Sequence, residues 1–382
     1  MMKTMNVESV EVYAKQGEII KLPETVTVYI DEDVEADYRV SWADVPDTSK
    51  PGTYEIQGKF EMEEYPEPFI EQRADPYILK AEDGFYYFTG SYPQYDRIVL
   101  RRSKTLAGLR EAEEHTIWRA HASGILSEHI WAPELHHIDG KWYIHFAAGD
   151  KEDVWAIRPY VLECTGDPLF DEWTEKGAIN TDFQSFSLDA TTFEHQGRRF
   201  LVWAQKTEHD TISNLYIAEM ETPWRLKGEQ VLIAKPEHDW ERAGFDVNEG
   251  PAFLHRHGKV FLTFSASATD DRYAMGLLHA DENADLLDPA SWTKLPDPVL
   301  TSSENTKLYG PGHNSFTVTE EGFDLLVYHA RSYKEIEGNP LYDHNRHARI
   351  QRFFWKDGMP YFGEPGLKFE TISKPKAVII IE

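Results

Sequence analysis

Short runs of apolar residues at a period of two, each bounded by Gly, Pro, Asn or Asp, dominate the chain. That is the pattern of β-strands joined by tight turns. In one stretch, Asp246-Val247-Asn248-Glu249-Gly250-Pro251 leads into Ala252-Phe253-Leu254, breaks at His255-Arg256-His257-Gly258, and resumes as Lys259-Val260-Phe261-Leu262-Thr263-Phe264. It reads as a hairpin with an acidic side chain at the entry of its first strand. The form recurs with variation. Asp75-Pro76-Tyr77-Ile78-Leu79 turns at Asp83-Gly84, and Ala132-Pro133-Glu134-Leu135-His136 at Asp139-Gly140. Leu188-Asp189-Ala190-Thr191-Thr192-Phe193 turns at Gln196-Gly197, and Gly312-His313-Asn314-Ser315-Phe316 at Glu321-Gly322. Each turn is followed by an aromatic-rich strand such as Trp142-Tyr143-Ile144-His145-Phe146. The turn glycines lie 56, 57, 61 and 64 residues apart. Such a period holds a four-stranded sheet with its loops, and no helical periodicity intervenes. The expected fold class is therefore all-β, a five-bladed β-propeller. Late in the repeat a Trp recurs, at Trp173, Trp224 and Trp292, and marks the outer strands.

The first 62 residues have a different rhythm. Ile19-Ile20-Lys21-Leu22-Pro23, Val26-Thr27-Val28-Tyr29-Ile30, Tyr38-Arg39-Val40-Ser41-Trp42 and Gly52-Thr53-Tyr54-Glu55-Ile56 are short strands at roughly ten-residue spacing, suited to a small sandwich. With Pro51-Gly52-Thr53-Tyr54 and Gly58, they resemble the bacterial immunoglobulin-like modules found beside carbohydrate enzymes. The expected organisation is a module over 1–62, an acidic proline-bearing linker at 61–68, and a propeller over 63–382.

Composition narrows the partners. The chain has 382 residues and a formal charge of −27, which argues against nucleic acid and anionic membranes, since phosphate binding needs clustered Lys and Arg. A neutral ligand is the natural alternative. No apolar run approaches the length of a membrane span, the longest purely aliphatic one being Ala377-Val378-Ile379-Ile380-Ile381. The N-terminal stretch lacks an apolar signal core, so the expected location of the chain as given is cytoplasmic, and secreted if a signal was trimmed. The single cysteine, Cys164, leaves no internal disulfide and no cysteine-based zinc site. Most of the 11 Trp, 19 Tyr and 20 Phe are expected in a β-rich core.

In a propeller the first strand of each blade lines the central channel, so residues at corresponding ends converge at one mouth. The converging set is expected to be Asp75, Glu134, Asp189, Glu249 and His313. Each alone reads as a solvated turn residue. Together, several carboxylates on one axis repel unless a cation or a retained proton relieves them. Glycoside hydrolysis uses such a pair: one carboxylic acid protonates the leaving oxygen while a carboxylate activates water or attacks the anomeric carbon. Asp75 and Glu249 sit on non-neighbouring blades, so they should stand well apart. A separation of about 6.5–9.5 Å leaves room for a water and implies inversion. Asp189, on the blade between, is free to orient the acid and raise its pKa.

At these residues the chain resembles glycoside hydrolase family 43, the five-bladed α-L-arabinofuranosidases, arabinanases and β-xylosidases. The matching motifs are Arg73-Ala74-Asp75-Pro76-Tyr77, Trp131-Ala132-Pro133-Glu134, Ser187-Leu188-Asp189-Ala190, Asn248-Glu249-Gly250-Pro251 and Gly310-Pro311-Gly312-His313-Asn314-Ser315. The resemblance implies Asp75 as general base, Glu249 as general acid and Asp189 as pKa modulator. It places Glu134 among the substrate-facing residues, Arg331 near the sugar, and Trp131 at the mouth as either a stacking platform or a core side chain. It also implies that His313 reaches into the channel, where many members hold calcium or a similar cation. No organic cofactor is expected.

The stretch from Tyr309 through Arg331 to Asn345-Arg346-His347 looks more like the arabinofuranosidase branch than the β-xylosidase one. The expected substrate is thus an arabinose-containing, or else xylose-containing, oligo- or polysaccharide, cleaved from its end. β-Xylosidase, endo-arabinanase and a non-catalytic glycan-binding propeller are the alternatives. The retaining fructan enzymes of the same architecture open with an Asn-Asp-Pro motif, which Arg73-Ala74-Asp75-Pro76 lacks.

Overall fold

In the computed structural model the chain is described at residues 3–7, 9–31, 34–61, 65–207, 212–366, 369–371 and 374–382. The chain divides into two compact units. Among the described residues no helix exceeds a four-residue 3-10 turn, and none is long and apolar enough to cross a membrane.

The larger unit, Glu67–Arg352 with Phe362–Gly366, is the five-bladed propeller. Its four-stranded blades begin with Ala74–Lys80, Glu128–Ile138, Ser187–His195 and Asn248–Arg256, and each runs outward as an antiparallel meander. The fifth blade has three strands, Tyr309–Val318, Asp324–Arg331 and His347–Arg352. Ile70 bridges antiparallel to Ala348, so the chain entering blade 1 is tied to the outer strand of blade 5 and the ring closes on itself. Successive blades are glued by side chains from facing sheets, as where Phe193 stacks on Phe253 at 3.9 Å and 6°. The late Trp residues behave as the repeat implied. Trp173 and Trp292 are buried beside their outer strands and donate to the carbonyls of Pro168 and Leu286, both at 3.0 Å.

A bulge interrupts the first strand of every blade at the same place. The register shifts between Ala74 and Tyr77, Trp131 and Glu134, Leu188 and Thr191, Glu249 and Ala252, and Gly312 and Ser315. The bulged residues, Asp75, Ala132, Asp189, Gly250 and His313, all have positive φ between 41° and 55°. A non-glycine residue held there costs about 1–3 kcal/mol. Such bulges re-aim side chains beside active sites.

The smaller unit comprises Met1–Pro66, Phe353–Tyr361 and Leu367–Glu382. Here the expected boundary changes, because the propeller does not run to residue 382. Lys376–Ile381 lies between Val10–Ala14, which it pairs with in parallel, and Gly52–Phe60, which it pairs with antiparallel. The reason lies in its alternation: Ala377, Ile379 and Ile381 are buried around Ile56, and a module of about 60 residues has little core of its own. Phe354 likewise joins the core of Val26, Val28, Val34, Tyr38 and Val40. The run 19–23 is not a strand; Ile19 is exposed, while Ile20 and Leu22 pack on the second core as irregular chain. The linker expected at 61–68 falls partly, at 62–64, outside the described residues.

Candidate active site

The bulges decide which side chains meet. Asp75, Asp189 and His313 are bulge residues on blades 1, 3 and 5, and Glu249 immediately precedes the bulge of blade 4. All four line one cavity of about 930 Å³, together with Trp131 and Arg346. Asp75 and Asp189 are 8% and 6% exposed, at its floor, and Glu249 is more open. Gly250 has to be glycine: a Cβ there would stand 3.0 Å from the His313 ring, at a φ of 54°.

Asp75 is the most tightly held carboxylate. Its Oδ2 accepts from Ser91 Oγ at 2.5 Å, and that hydroxyl in turn accepts the Ala132 N–H at 2.8 Å. Its Oδ1 faces His313 Nδ1 at 3.3 Å and the Arg346 guanidinium at 3.5 Å. The Asp75 N–H donates to His329 Nδ1 at 3.1 Å. Burial pushes this imidazole's pKa down to about 3, so it is neutral. Burial alone would raise Asp75, but the His313 imidazole and the Arg346 guanidinium outweigh it. The carboxyl is held well below the usual carboxylate range.

The other two carboxyls go the opposite way. Glu249 is raised by burial and by the charge of Asp75, against a 2.8 Å hydrogen bond from the Tyr273 hydroxyl. Asp189 is raised by burial and by the charges of Glu249 and Asp75, opposed by His313 and by the Gly250 N–H. That N–H donates to Asp189 Oδ2 at 3.0 Å, so Asp189 anchors the backbone next to Glu249. A carboxylate held ionised, facing carboxyls of raised pKa over a shared cavity, is an arrangement suited to acid–base cleavage.

Glu134 departs from the expected set. It lies two residues past its bulge, which moves it one layer down the channel, level with Tyr77, Thr191, Ala252 and Ser315. There it is buried at 3.1 Å from His136, with Thr191 hydrogen-bonded to it, and does not line the cavity. Burial pushes Glu134 up to about 8 and His136 down to about 3, so the pair is neutral. Arg331 does not line the cavity either. It is 2% exposed and donates to the carbonyls of Thr269 and Pro340, both at 2.7 Å, clamping two loops of the cavity wall. Arg346, unlike Arg331, does line the cavity, with its second nitrogen 3.2 Å from the Tyr95 hydroxyl. Trp131 lines the cavity, but its ring is engaged, stacked on His129 at 4.2 Å and edge-on to Tyr95.

Sequence reasoning also missed Ser91, Tyr273 and His329. Ser91 was within reach: counted from the Asp83-Gly84 turn, it pairs with Ala74 across the first hairpin. For the expected channel cation, no group of three or more His, Cys, Asp or Glu side chains among the described residues is placed to hold one ion. With His313 Nδ1 already facing Asp75 and Asp189 at 3.3 and 3.8 Å, this donor set does not fit a protein-ligated metal.

Comparison with known proteins agrees with this geometry. Residues 65–360 match the model of glycosyl hydrolases family 43, and residues 7–62 that of a bacterial Ig-like domain (group 4). The chain is 57% identical over 302 residues to an extracellular exo-α-(1→5)-L-arabinofuranosidase of Streptomyces avermitilis. It is 52% identical over 306 residues to α-L-arabinofuranosidase 43 of Humicola insolens. These matches cover 78% and 79% of the chain, and the chain spans 63% of the length of each relative. The crystal structure of an α-L-arabinofuranosidase from Lactobacillus brevis superposes with a TM-score of 0.77 at 54% identity, covering 80% of this chain and 98% of that one. Five blades, a floor of bulge-borne carboxylates and a family match across three quarters of the sequence converge: the chain belongs to glycosyl hydrolase family 43.

Proposed function

We propose that the protein is an exo-acting, inverting α-L-arabinofuranosidase that releases terminal arabinofuranosyl units from arabinan, arabino-oligosaccharides or arabinoxylan side chains. The observation that carries the chemistry is the opposed environment of two carboxyls on one cavity, Asp75 held ionised by its cationic neighbours and Glu249 raised by burial and by the charge of Asp75. Asp75 takes a proton from a water as the water's oxygen attacks the anomeric carbon, the glycosidic C–O bond breaks, and Glu249 gives its proton to the departing oxygen. Asp189 holds the Gly250 N–H and so the acid's approach. The preference for arabinofuranosides over xylosides rests on the names of the relatives at 52–57% identity. Export rests on the same ground, two relatives being named extracellular.

Two measurements on linear arabinan test this reading. Chromatography should show arabinose before any oligomer, and mixed oligomers appearing first would make the enzyme endo-acting. Proton NMR in the first minutes should show the anomer opposite to that of the substrate; a retained anomer would rule out single displacement.

Arg331 supplies a further expectation. The two loops it clamps lead to Tyr273, which hydrogen-bonds Glu249, and to Arg346, which faces Asp75. Arg331→Lys keeps the charge but loses the planar fork that spans both carbonyls. It should lower kcat/KM by roughly 10–10²-fold through misplacement of these partners. Steady-state kinetics beside thermal unfolding separates this from a general loss of folded protein. Unaltered kinetics would remove the clamp from the account.

A further inference from the structure

Large apolar side chains are rarely left in solvent as a group unless something covers them. Among the described residues, Trp155, Phe245 and Ile212 are 53%, 55% and 37% exposed, and all three lie on the wall of the carboxylate cavity. They come from separate loops. Trp155 is in the connection between Lys141–Gly149 and Arg158–Cys164 of blade 2. Ile212 precedes Asn214–Thr222 of blade 3, and Phe245 lies between Arg225–Ala234 and Asn248–Arg256. Three loops on three chain segments therefore bring exposed apolar surface to one rim.

The rim is continuous with the buried part of the cavity. Trp155 leans on His129 at 5.2 Å, and His129 stacks on Trp131 at 4.2 Å. Trp131 is covered by that stack and by Tyr95, whereas more than half of Trp155 faces solvent. Asp75 and Asp189 close the floor, so a sugar bound against them presents its scissile bond toward the mouth. Whatever leaves passes the rim. A cavity of about 930 Å³ is also at the upper end of the range for a drug-sized ligand, more than one furanose ring fills.

We infer that Trp155 and Phe245 form a leaving-group subsite that holds the second, neutral furanosyl unit of an arabinan chain. Their ring faces cover its C–H surface while its hydroxyls stay hydrated. A charge is not needed for that, and the rim guanidinium of Arg272 is already committed to Asp270 at 2.9 and 3.1 Å. This inference rests on the arabinofuranosidase reading and adds which residues make a chain a better substrate than an isolated glycoside.

The test compares α-1,5-linked arabinotriose with methyl α-L-arabinofuranoside, whose leaving group has no ring to stack; a nitrophenyl group would occupy the subsite itself. Both residues are exposed, so Trp155→Ala and Phe245→Ala should fold. The loss of kcat/KM on arabinotriose should exceed the loss on the methyl glycoside by on the order of tenfold for each variant. Trp155→Phe should restore most of the difference. Equal losses on both substrates, or none on either, would overturn the subsite and leave the glycosidase reading intact. A wild-type protein that releases arabinose from neither substrate would overturn both.

Discussion

Asp75→Asn should leave a folded protein with almost no hydrolysis of any substrate, whatever its leaving group. General-base assistance contributes on the order of 10²–10⁴-fold, or about 3–5 kcal/mol of barrier. An amide in that place cannot accept the water's proton. The loss extends to activated aryl glycosides, because they too need an activated water. Folding should survive, since the amide keeps an oxygen for Ser91 Oγ and its side chain no longer has to be held ionised. Burst and steady-state assays on a nitrophenyl arabinofuranoside read the result. Near-native turnover would mean that Asp75 is not the base.

Glu249→Gln should behave differently, and the difference identifies the acid. Without a proton to give, the enzyme should lose roughly 10²–10⁴-fold on oligosaccharides, whose leaving alkoxide is poor, and much less on an activated phenol. The pH profile carries the same information in the wild type. Asp75 must be ionised, and its pKa is held low by His313 and Arg346 against burial, so the acidic limb lies below the usual carboxylate range. Glu249 must be protonated, and its pKa is raised by burial and by the charge of Asp75, so activity falls as pH rises through that raised value. Asp189 is itself raised, by burial and by the charges of Glu249 and Asp75. Asp189 and Glu249 repel each other when both are ionised, so they titrate as a pair; Asp189→Asn removes that repulsion, so the acid ionises sooner and the alkaline limb moves to lower pH. An alkaline limb that ignores Asp189, or a Glu249→Gln loss equal on all leaving groups, would take the acid's role away from Glu249.

The hairpin repeat was legible because its physics is local. Alternating apolar residues and a Gly able to take positive φ at each turn specify strand, turn and strand without reference to the rest of the chain, and all five turn glycines have positive φ. Counting them gives five blades, and ring geometry then carries Asp75, Asp189, Glu249 and His313 to one mouth. Glu134 was placed at that mouth because it too precedes a turn glycine by a few residues. Two residues along a strand carry a side chain one layer further along the same face. The bulges at Ala132 and Gly250 therefore separate Glu134, two residues past one, from Glu249, one residue before the other.

Arg331 and Arg346 show the same division. Both sit in the stretch of the last blade that resembles arabinofuranosidases, and nothing in their neighbours says which reaches the cavity. Arg331 closes the end of a buried strand, where its fork satisfies loop carbonyls from two directions; Arg346 precedes the outer strand His347–Arg352 and reaches Asp75 across the channel mouth. Ser91, Tyr273 and His329 act through hydrogen bonds to residues 16, 24 and 254 positions away, separations no local pattern encodes. The C-terminal strand Lys376–Ile381 is the plainest case. Its aliphatic alternation announced a strand, and the gap between Val10–Ala14 and Gly52–Phe60 decided which sheet it would complete. By itself the sequence determined the all-β class and the number of blades, because strand period, turn chemistry and repeat length are properties of neighbouring residues. Only the tertiary structure decided which of the charged side chains share a cavity and which carboxyls have their pKa raised, because burial and the charges across the channel belong to no single segment.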